Sequence, residues 1–436
     1  MSKRRWGTAL WLLILLTSTL PALADSQVRI VRLSDIQGTV QIDRNTGQGY
    51  EKAFLNMPVV AGMKLQSKDD GRAEIECEDG STLRVTPNSV IEFTQLSRKE
   101  SGSRASAIAV LEGTVYVNFK GKKDEQLTVT FARENVSPTE PAHFRVQVND
   151  ADASLAVFKG LVAVSGVSGN EQVGKNQTAS FDLANGDKYE LAKNLEDDPF
   201  DGWDKQQEQY HQQYMANNSY GSPYGYGLSD LNYYGSYSMI PGYGMMWQPY
   251  FTGMGWDPFM DGAWMWYPGF GYTWVSAYPW GWMPYRYGNW AYVPNYGWGW
   301  QPGNSWAGWN TIPRLQNPPQ RYTQPQPPGN YGHTTVVVNR GPGNFGISPR
   351  NMIVRKDSAG LGIPRGSVRN LGKVSNSLER GTVSSASVRI SPPPSAYPTS
   401  DTTATRTLSP SSPRMSAPAM RPMAHPSAAP HRTSPH

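Results

Sequence analysis

Residues 72–93 read RAEIECEDGSTLRVTPNSVIEF. Ala73, Ile75 and Cys77 alternate with Glu74, Glu76 and Glu78, and Leu83 and Val85 alternate with Thr82 and Arg84. A period of two places an apolar row and a polar row on opposite faces of a strand. Glu78-Asp79-Gly80, between the two runs, has the chemistry of a tight hairpin turn. The hairpin therefore puts Cys77 on its buried face. It is expected to give the acidic run Asp69, Asp70, Glu74, Glu76, Glu78 and Asp79 to solvent. The same alternation recurs outward in both directions, at 28–33 (VRIVRL), 39–43 (TVQID), 107–111 (AIAVL), 114–119 (TVYVNF), 127–131 (LTVTF), 143–148 (HFRVQV), 154–158 (SLAVF) and 161–164 (LVAV). Gly38, Gly113 and Gly160 each precede a short run of alternating apolar residues, a weak internal echo. About a dozen such runs without a helical pattern predict an all-β domain over 25–196, built as a sandwich, roll or solenoid.

These motifs carry a resemblance. The order G-x-V-x-I at 38–42, Gly62-Met-Lys-Leu65, then Asp79-Gly80-Ser81-x-Leu83 with Pro87-x-Ser89, L-x-G-x-V-x-V around Gly113, F-R-V-x-V at 144–148 and V-x-K-G-x-V-x-V around Gly160 is similar to the FecR domain over about 25–185. The resemblance implies an extracytoplasmic multi-stranded β domain. Pro141-Ala142-His143 stands where that family has Gly-Thr. FecR sensors also place a cytoplasmic segment and a membrane helix ahead of the domain. Here Lys3-Arg4-Arg5, an apolar run from Trp6 to Leu20 and a small-x-small site at Ala22-Leu23-Ala24 have the layout of a signal peptide over 1–24. The expectation is an exported bacterial chain, periplasmic or associated with the cell surface, that spans no membrane after cleavage.

Charge is segregated along the chain. Residues 25–204 carry 20 basic and 28 acidic side chains, 205–310 carry 2 and 4, and 311–436 carry 15 and 3. Residues 197–217 predict a short amphipathic helix in which Phe200, Trp203, Tyr210 and Tyr214 share a face that packs on the β domain. Residues 218–246 are rich in Gly, Tyr and Ser and lack aliphatic periodicity, which predicts a linker. Residues 311–436 are basic and rich in Pro, Ser and Arg, which predicts a long disordered tail able to meet an anionic surface.

Residues 247–310 hold 12 of the 15 tryptophans. Within them, 250–275 and 276–301 align without gaps as a 26-residue repeat with eight identities, all at Gly, Pro or Trp. They include Gly262/Gly288, Trp264/Trp290, Gly271/Gly297 and Trp274/Trp300. Each unit reads as a β-hairpin with an aromatic face, turning at Pro268 to Gly271 or at Pro294 to Gly297. A lone hairpin is marginal, so the two units are expected to stack. Trp256, Trp264, Trp274, Trp282, Trp290 and Trp300 are the expected repeat core. Trp280, Trp282, Trp298 and Trp306 are the candidates for an exposed binding platform, since so many rings in a short segment are hard to bury together.

The chemistry of catalysis is sparse. Ser81 stands in D-G-S and not in a nucleophile elbow, the six histidines lack metal-ligand spacing, and no phosphate-binding glycine loop occurs. One cysteine excludes an internal disulfide framework. The sequence therefore predicts a non-enzymatic envelope protein with no cofactor, no metal and no nucleic-acid partner. Its FecR-like domain (family motif Asp79, Gly80, Ser81, Gly113, Gly160) would bind a protein or polysaccharide, and the aromatic repeat would add a second adhesive surface. The alternative is an extracytoplasmic sensor of the FecR type acting on a membrane-bound signalling partner.

Overall fold

The computed structural model describes residues 29–99, 101–121, 124–215, 225–253, 255–306, 308, 311–329, 333–341, 351–381 and 383–389. The signal-peptide expectation over 1–24 lies outside them, as does the tail beyond 389.

The first lobe is all-β, and one strand organises it. Arg104–Phe119 joins two sheets. Its first half pairs antiparallel with Val90–Arg98 and parallel with Glu125–Phe131. Its second half pairs with Thr82–Val85 and Ala142–Val148. The sequence reads two strands here, at 107–111 and 114–119; the structure fuses them through Gly113. That residue sits at φ +87° with its Cα so close to Ser89 that a Cβ would lie 2.2 Å from the Ser89 Oγ. Only glycine fits both the conformation and the space. Gly160 repeats the arrangement at φ +84°, against the Pro141 carbonyl. The glycine echo in the sequence thus marks positive-φ positions pressed against neighbouring backbone.

The first sheet continues through Lys64–Ser67 and Val40–Asp43 on one side and through Glu134–Pro138 and Leu161–Gly166 on the other. The second runs Val31–Gln37, Arg72–Glu76, Thr82–Val85, the shared strand, Ala142–Val148, Asp152–Lys159, Gln177–Asp182 and Lys188–Ala192. Inward-facing residues of both sheets, among them Leu33, Ile75, Leu83, Val117, Phe144 and Leu155, form one core. Cys77 is buried in it, as the alternation requires. The Asp79-Gly80-Ser81 motif is the turn of the central hairpin: Gly80 takes φ +86°, and the Asp79 carboxylate accepts from both the Ser81 N–H and its hydroxyl.

The second lobe is aromatic. Helix α1 (Asp201–Met215) leads from the β domain toward it, and helix α2 (Leu228–Tyr234) opens it. The two repeat units form hairpins in matching register, Gly262–Tyr267 with Gly271–Ser276 and Tyr287–Val293 with Gly297–Trp306. Trp264 faces Trp274 in the first and Trp290 faces Trp300 in the second. Gly262 and Gly288 lie under the Trp274 and Trp300 rings respectively, which explains both identities. The units meet through equivalent rings, Phe259 and Tyr285, with centroids 5.3 Å apart. Their sheets differ, however. The second hairpin joins Gly235–Ile240, Gly244–Pro249 and Arg314–Gln316 in a five-stranded sheet, whereas the first pairs with Val336–Val338. The first hairpin is buried on both faces. Ala263, Met265, Tyr267 and Val275 enter the β-domain core, and Trp264, Tyr272 and Trp274 enter the aromatic one.

Two boundaries differ from the sequence reading. The described part of the expected linker is folded: Tyr226, Leu228, Leu231, Tyr233 and Tyr234 are buried in the aromatic core. Rings replace the missing aliphatic periodicity. The expected tail contributes ordered elements as far as residue 389. Asn351–Arg355 pairs with Ser385–Arg389, and helix α3 (Leu371–Arg380) packs on the aromatic core through Leu371 and Leu378. Short apolar segments between polar residues suffice here because the aromatic lobe supplies the partner surface.

Candidate functional site

The outward face of the second sheet is mostly polar, with Tyr116 and Phe158 stacked on it, and two regions of it differ in what covers them. Over the central hairpin, α1 lies across the sheet. Trp203, Asp204, Gln207, Tyr210 and His211 recur at helical spacing and are all buried. Trp203 lies under Arg72 of the sheet, whereas Tyr210 and Tyr214, expected on the β domain, pack on the aromatic lobe beside Tyr233. The acidic row expected in water is therefore under cover: Glu74, Glu76 and Asp79 are buried, Glu78 is half-buried and paired with Arg29, and only Asp69 and Asp70 are exposed. The alternation placed the row on the correct face. What it lacked was the place of the expected helix, which lies over this row, and the second lobe that closes beside it.

Glu74 is the hub. Its carboxylate accepts from Arg84 Nε at 2.9 Å, Arg365 Nη1 at 2.6 Å and the Ser34 hydroxyl at 2.8 Å, and lies 2.9 Å from His211 Nε2. Arg84 also donates to Asp204 on α1 at 2.7 Å. Arg365 grips both carboxylate oxygens of Asp230 on α2 at 3.0 Å and donates to the Ser34 carbonyl at 2.8 Å. Arg32, from the β domain, pairs with Glu76 at 3.2 Å and with Asp230 at 2.6 Å, and donates to the Pro279 carbonyl at 2.8 Å. Further along, Arg145 donates to Asp201 at 2.7 Å, and the Tyr116 hydroxyl lies 2.8 Å from both the Asp198 and Asp201 carboxylates, which share its one proton.

Burial alone would raise every one of these carboxyls. At Glu74 that push is overcome by His211, Arg365 and Arg84, which hold the carboxyl well below the usual range. Asp230 is lowered against burial by Arg365 and Arg32, and Asp204 by Arg84 and His143. Burial wins at Asp35 and Glu76, whose carboxyls are pushed up. His211 stands between the Glu74 carboxylate, 2.9 Å from Nε2, and the Ser229 hydroxyl on α2, 3.0 Å from Nδ1, with all three side chains buried. The dominant chemistry is guanidinium–carboxylate bonding that fixes three segments to one another.

Beyond the start of α1 the same sheet face is open. Gln147, Ser154, Ser180 and Glu190 stand directly opposite one another on four successive strands. With Asn149, Asp152, Asp182, Lys188 and Glu196 they line a cavity of about 490 Å³. The Asn149 side-chain oxygen accepts from the Ala151 and Asp152 N–H groups. Adjacent strands lie ~4.8 Å apart, so the row presents hydrogen-bonding groups at regular intervals.

The proposed platform rings are elsewhere, and the structure corrects their role. Trp280 (0% exposed), Trp282 (1%) and Trp298 (3%) are buried. Trp280 stacks on Tyr278 with planes 3° apart and donates to the Ala359 carbonyl at 2.7 Å. Arg286 lies over Trp282, and Trp298 packs between Tyr292 and Tyr322. The extra cover comes from 311–389 and from the β domain, neither of which figures in the surface estimate for the repeat alone. Trp306 ends its strand, and its side chain lies outside the described residues. Trp256, Trp264, Trp274, Trp290 and Trp300 are core, as the repeat predicts. Asp261, whose repeat counterpart is Tyr287, is buried and bound by Arg340 and Tyr278, a structural use. No group of His, Cys, Asp or Glu among the described residues could hold a metal ion.

Sequence reasoning missed the open row and the junction. Ser154 and Ser180 carry no motif. Arg365 lies in the segment read as disordered. The one available signal was the density of Arg and Glu on the outward positions 74, 76 and 84, too high for a face with nothing on it.

Residues 63–163 match the family described as FecR protein, and residues 228–317 match a family of unknown function, DUF6600. No curated protein sequence matches the chain. Two crystal structures of a candidate anti-sigma factor from Parabacteroides distasonis ATCC 8503 are similar over part of the chain. One shares 15% identity at a TM-score of 0.26, covering 30% of this chain and 59% of that one. The other shares 17% identity at a TM-score of 0.27, covering 32% and 63%. The chain thus spans about six tenths of those structures, and scores of this size do not establish a common overall fold. No helix among the described residues is long and apolar enough to cross a membrane.

Proposed function

We propose that this chain, a FecR-domain protein, is a non-enzymatic recognition module of the cell envelope, with the open polar face of its second sheet as the binding surface. The single observation that carries this reading is the cavity of about 490 Å³ along Gln147, Ser154, Ser180 and Glu190. It is concave and lined by both donors and acceptors, the composition that suits a polyhydroxylated chain or an extended polypeptide. The buried charges beside it supply rigidity and keep the face from deforming when a ligand docks. Export through the N-terminal segment brings the surface to an envelope polysaccharide or protein. The aromatic lobe serves as a brace for that surface rather than as a second adhesive one.

The FecR match favours a second use of the same face, contact with a membrane-bound signalling partner. The two uses differ in the ligand and share the site. Replacing Ser154 and Ser180 by Trp fills the cavity at strand positions that stay half-exposed. Binding of the wild-type chain and this variant to a panel of bacterial envelope polysaccharides, with photo-crosslinking from position 154 in envelope fractions, tests both. At least a tenfold loss of polysaccharide binding supports the first use, and loss of a defined protein crosslink supports the second. A variant that keeps all binding removes the face from the function.

A further inference from the structure

The segment 351–389 makes a second concave surface of a different chemistry. Helix α3 and the strand Ser385–Arg389 leave between them a groove of about 490 Å³ lined by Lys373, Val374, Leu378, Val383, Ala386 and Val388. Its floor is anchored, because Leu371, Ser375 and Leu378 face the aromatic core. Its outer wall is not, because Val383 is 57% exposed. On the other face of the same two-stranded ribbon Ile353 is 72% exposed, opposite Ser387. Large aliphatic side chains this open on an otherwise polar segment lack the cover that the rest of the lobe gives its rings.

The charge around them is predominantly positive, although Arg355 pairs with Asp357 at 3.5 Å. Between 351 and 389 the chain has seven Arg or Lys residues against Asp357 and Glu379. Arg365 is used inside the junction, but Arg355, Arg369, Lys373 and Arg380 are exposed. Lys373 lines the groove and Arg380 closes the last turn of α3. Exposed aliphatic side chains ringed by cations are complementary to a bilayer that presents anionic headgroups over an acyl interior.

The geometry points to this groove as a docking surface for an anionic phospholipid bilayer, with Val383 entering the headgroup region and Lys373 and Arg380 meeting phosphates. It goes beyond the polar face of the β domain and stands or falls apart from it.

The test uses the full chain with an environment-sensitive fluorophore on Val383→Cys. Cys77 does not compete, because it is buried and its thiol is pushed well up by that burial. Vesicles of phosphatidylglycerol with phosphatidylcholine are compared with phosphatidylcholine alone. The expected result is a blue shift of the label with the anionic vesicles only. Sedimentation of the Lys373→Glu/Arg380→Glu variant with those vesicles should fall at least fivefold. Both substitutions are at exposed positions, and a circular-dichroism spectrum checks the fold. Three results would overturn the proposal: no association with either vesicle, an equal shift with phosphatidylcholine alone, or association while the label stays in water. The last would assign the binding to other basic stretches of the chain.

Discussion

A fully buried glutamate among two guanidiniums and an imidazole is stable only while all of them remain. Glu74→Gln keeps the volume but leaves Arg84 and Arg365 facing a neutral amide, and breaking such a pair costs ~3–5 kcal/mol. Chemical denaturation at pH 7 should show that loss. The pH dependence has a definite sign. The folded Glu74 carboxyl is depressed, so its contribution is present above the ordinary glutamate range and is lost as pH falls through and below it. Glu208, lowered to about 2 by Lys120 and Arg84 against burial, behaves alike. Wild-type stability should therefore drop steeply on acidification, and the Gln variant should drop less. Glu125 has the opposite sign. Burial and Asp79 raise it to about 7 despite Arg104 and Arg29, so the folded state holds a proton there that the unfolded chain releases earlier. Glu125→Gln should gain stability relative to wild type as pH rises from ~4.5 to ~7.5, by ~1 kcal/mol after allowance for solvent screening. A difference between the two proteins that is flat across that range would refute the assignment. Backbone chemistry gives a further check: Gly113→Ala places a methyl at φ +87° and against Ser89, a strain of ~1–3 kcal/mol before any clash, measurable as a lower denaturation midpoint.

Among the elements, the two hairpins make the sharpest comparison. Trp290 and Trp280 are both fully buried, and each donates its indole N–H to a carbonyl, of Pro284 at 2.9 Å and of Ala359 at 2.7 Å. Replacement of either by Ala should cost ~3–5 kcal/mol. Trp266 is half-buried in the first strand of the first hairpin, opposite Tyr272, and Trp266→Ala should cost clearly less. Equal midpoints for Trp280→Ala and Trp266→Ala would contradict the burial. The repeat was legible because its Gly, Pro and Trp identities are imposed locally, by turns and by cross-strand ring pairs. Strand alternation was legible for the same reason. The fate of Trp280 was not, because its cover comes from Ala359, some eighty residues later in the chain. The Gly113 fusion was hidden as well. A glycine between two strand runs reads as a break, and only the second sheet shows it to be a bend in one strand.

For the molecule as a whole, the question is why a β domain and an aromatic lobe with separate cores should behave as one body. Three segments converge on the outward face of the central hairpin: α1 and α2 follow the β domain, and Arg365 arrives from the far end of the described chain. The packing of α1 is readable from its aromatic stripe; the charged partners Glu74, Arg84 and Arg365 are not, because each looks solvated when taken alone. Arg365 touches all three neighbours at once, through Glu74, Asp230 and a guanidinium 5.0 Å over the Tyr210 ring. Its side chain is 5% exposed, so its loss strands Glu74 and Asp230 with fewer cations in a dry setting. Near-ultraviolet circular dichroism reports mainly the aromatic lobe, because all but three of the tryptophans fall in residues 247–310 of the sequence, and far-ultraviolet dichroism reports strands of both lobes. In the wild-type chain the two thermal transitions should coincide, as one cooperative unit requires. In Arg365→Ala the near-ultraviolet signal should be lost at a lower temperature than the far-ultraviolet one, because the aromatic lobe is released from a β domain that retains its own aliphatic core. The double variant with Asp230→Ala should lose less than the sum of the single losses, by ~1–3 kcal/mol, since both remove the same contact. Transitions that still coincide in Arg365→Ala, with additive losses, would show that the lobes are joined by the apolar seam of Ala263, Met265 and Val275 alone.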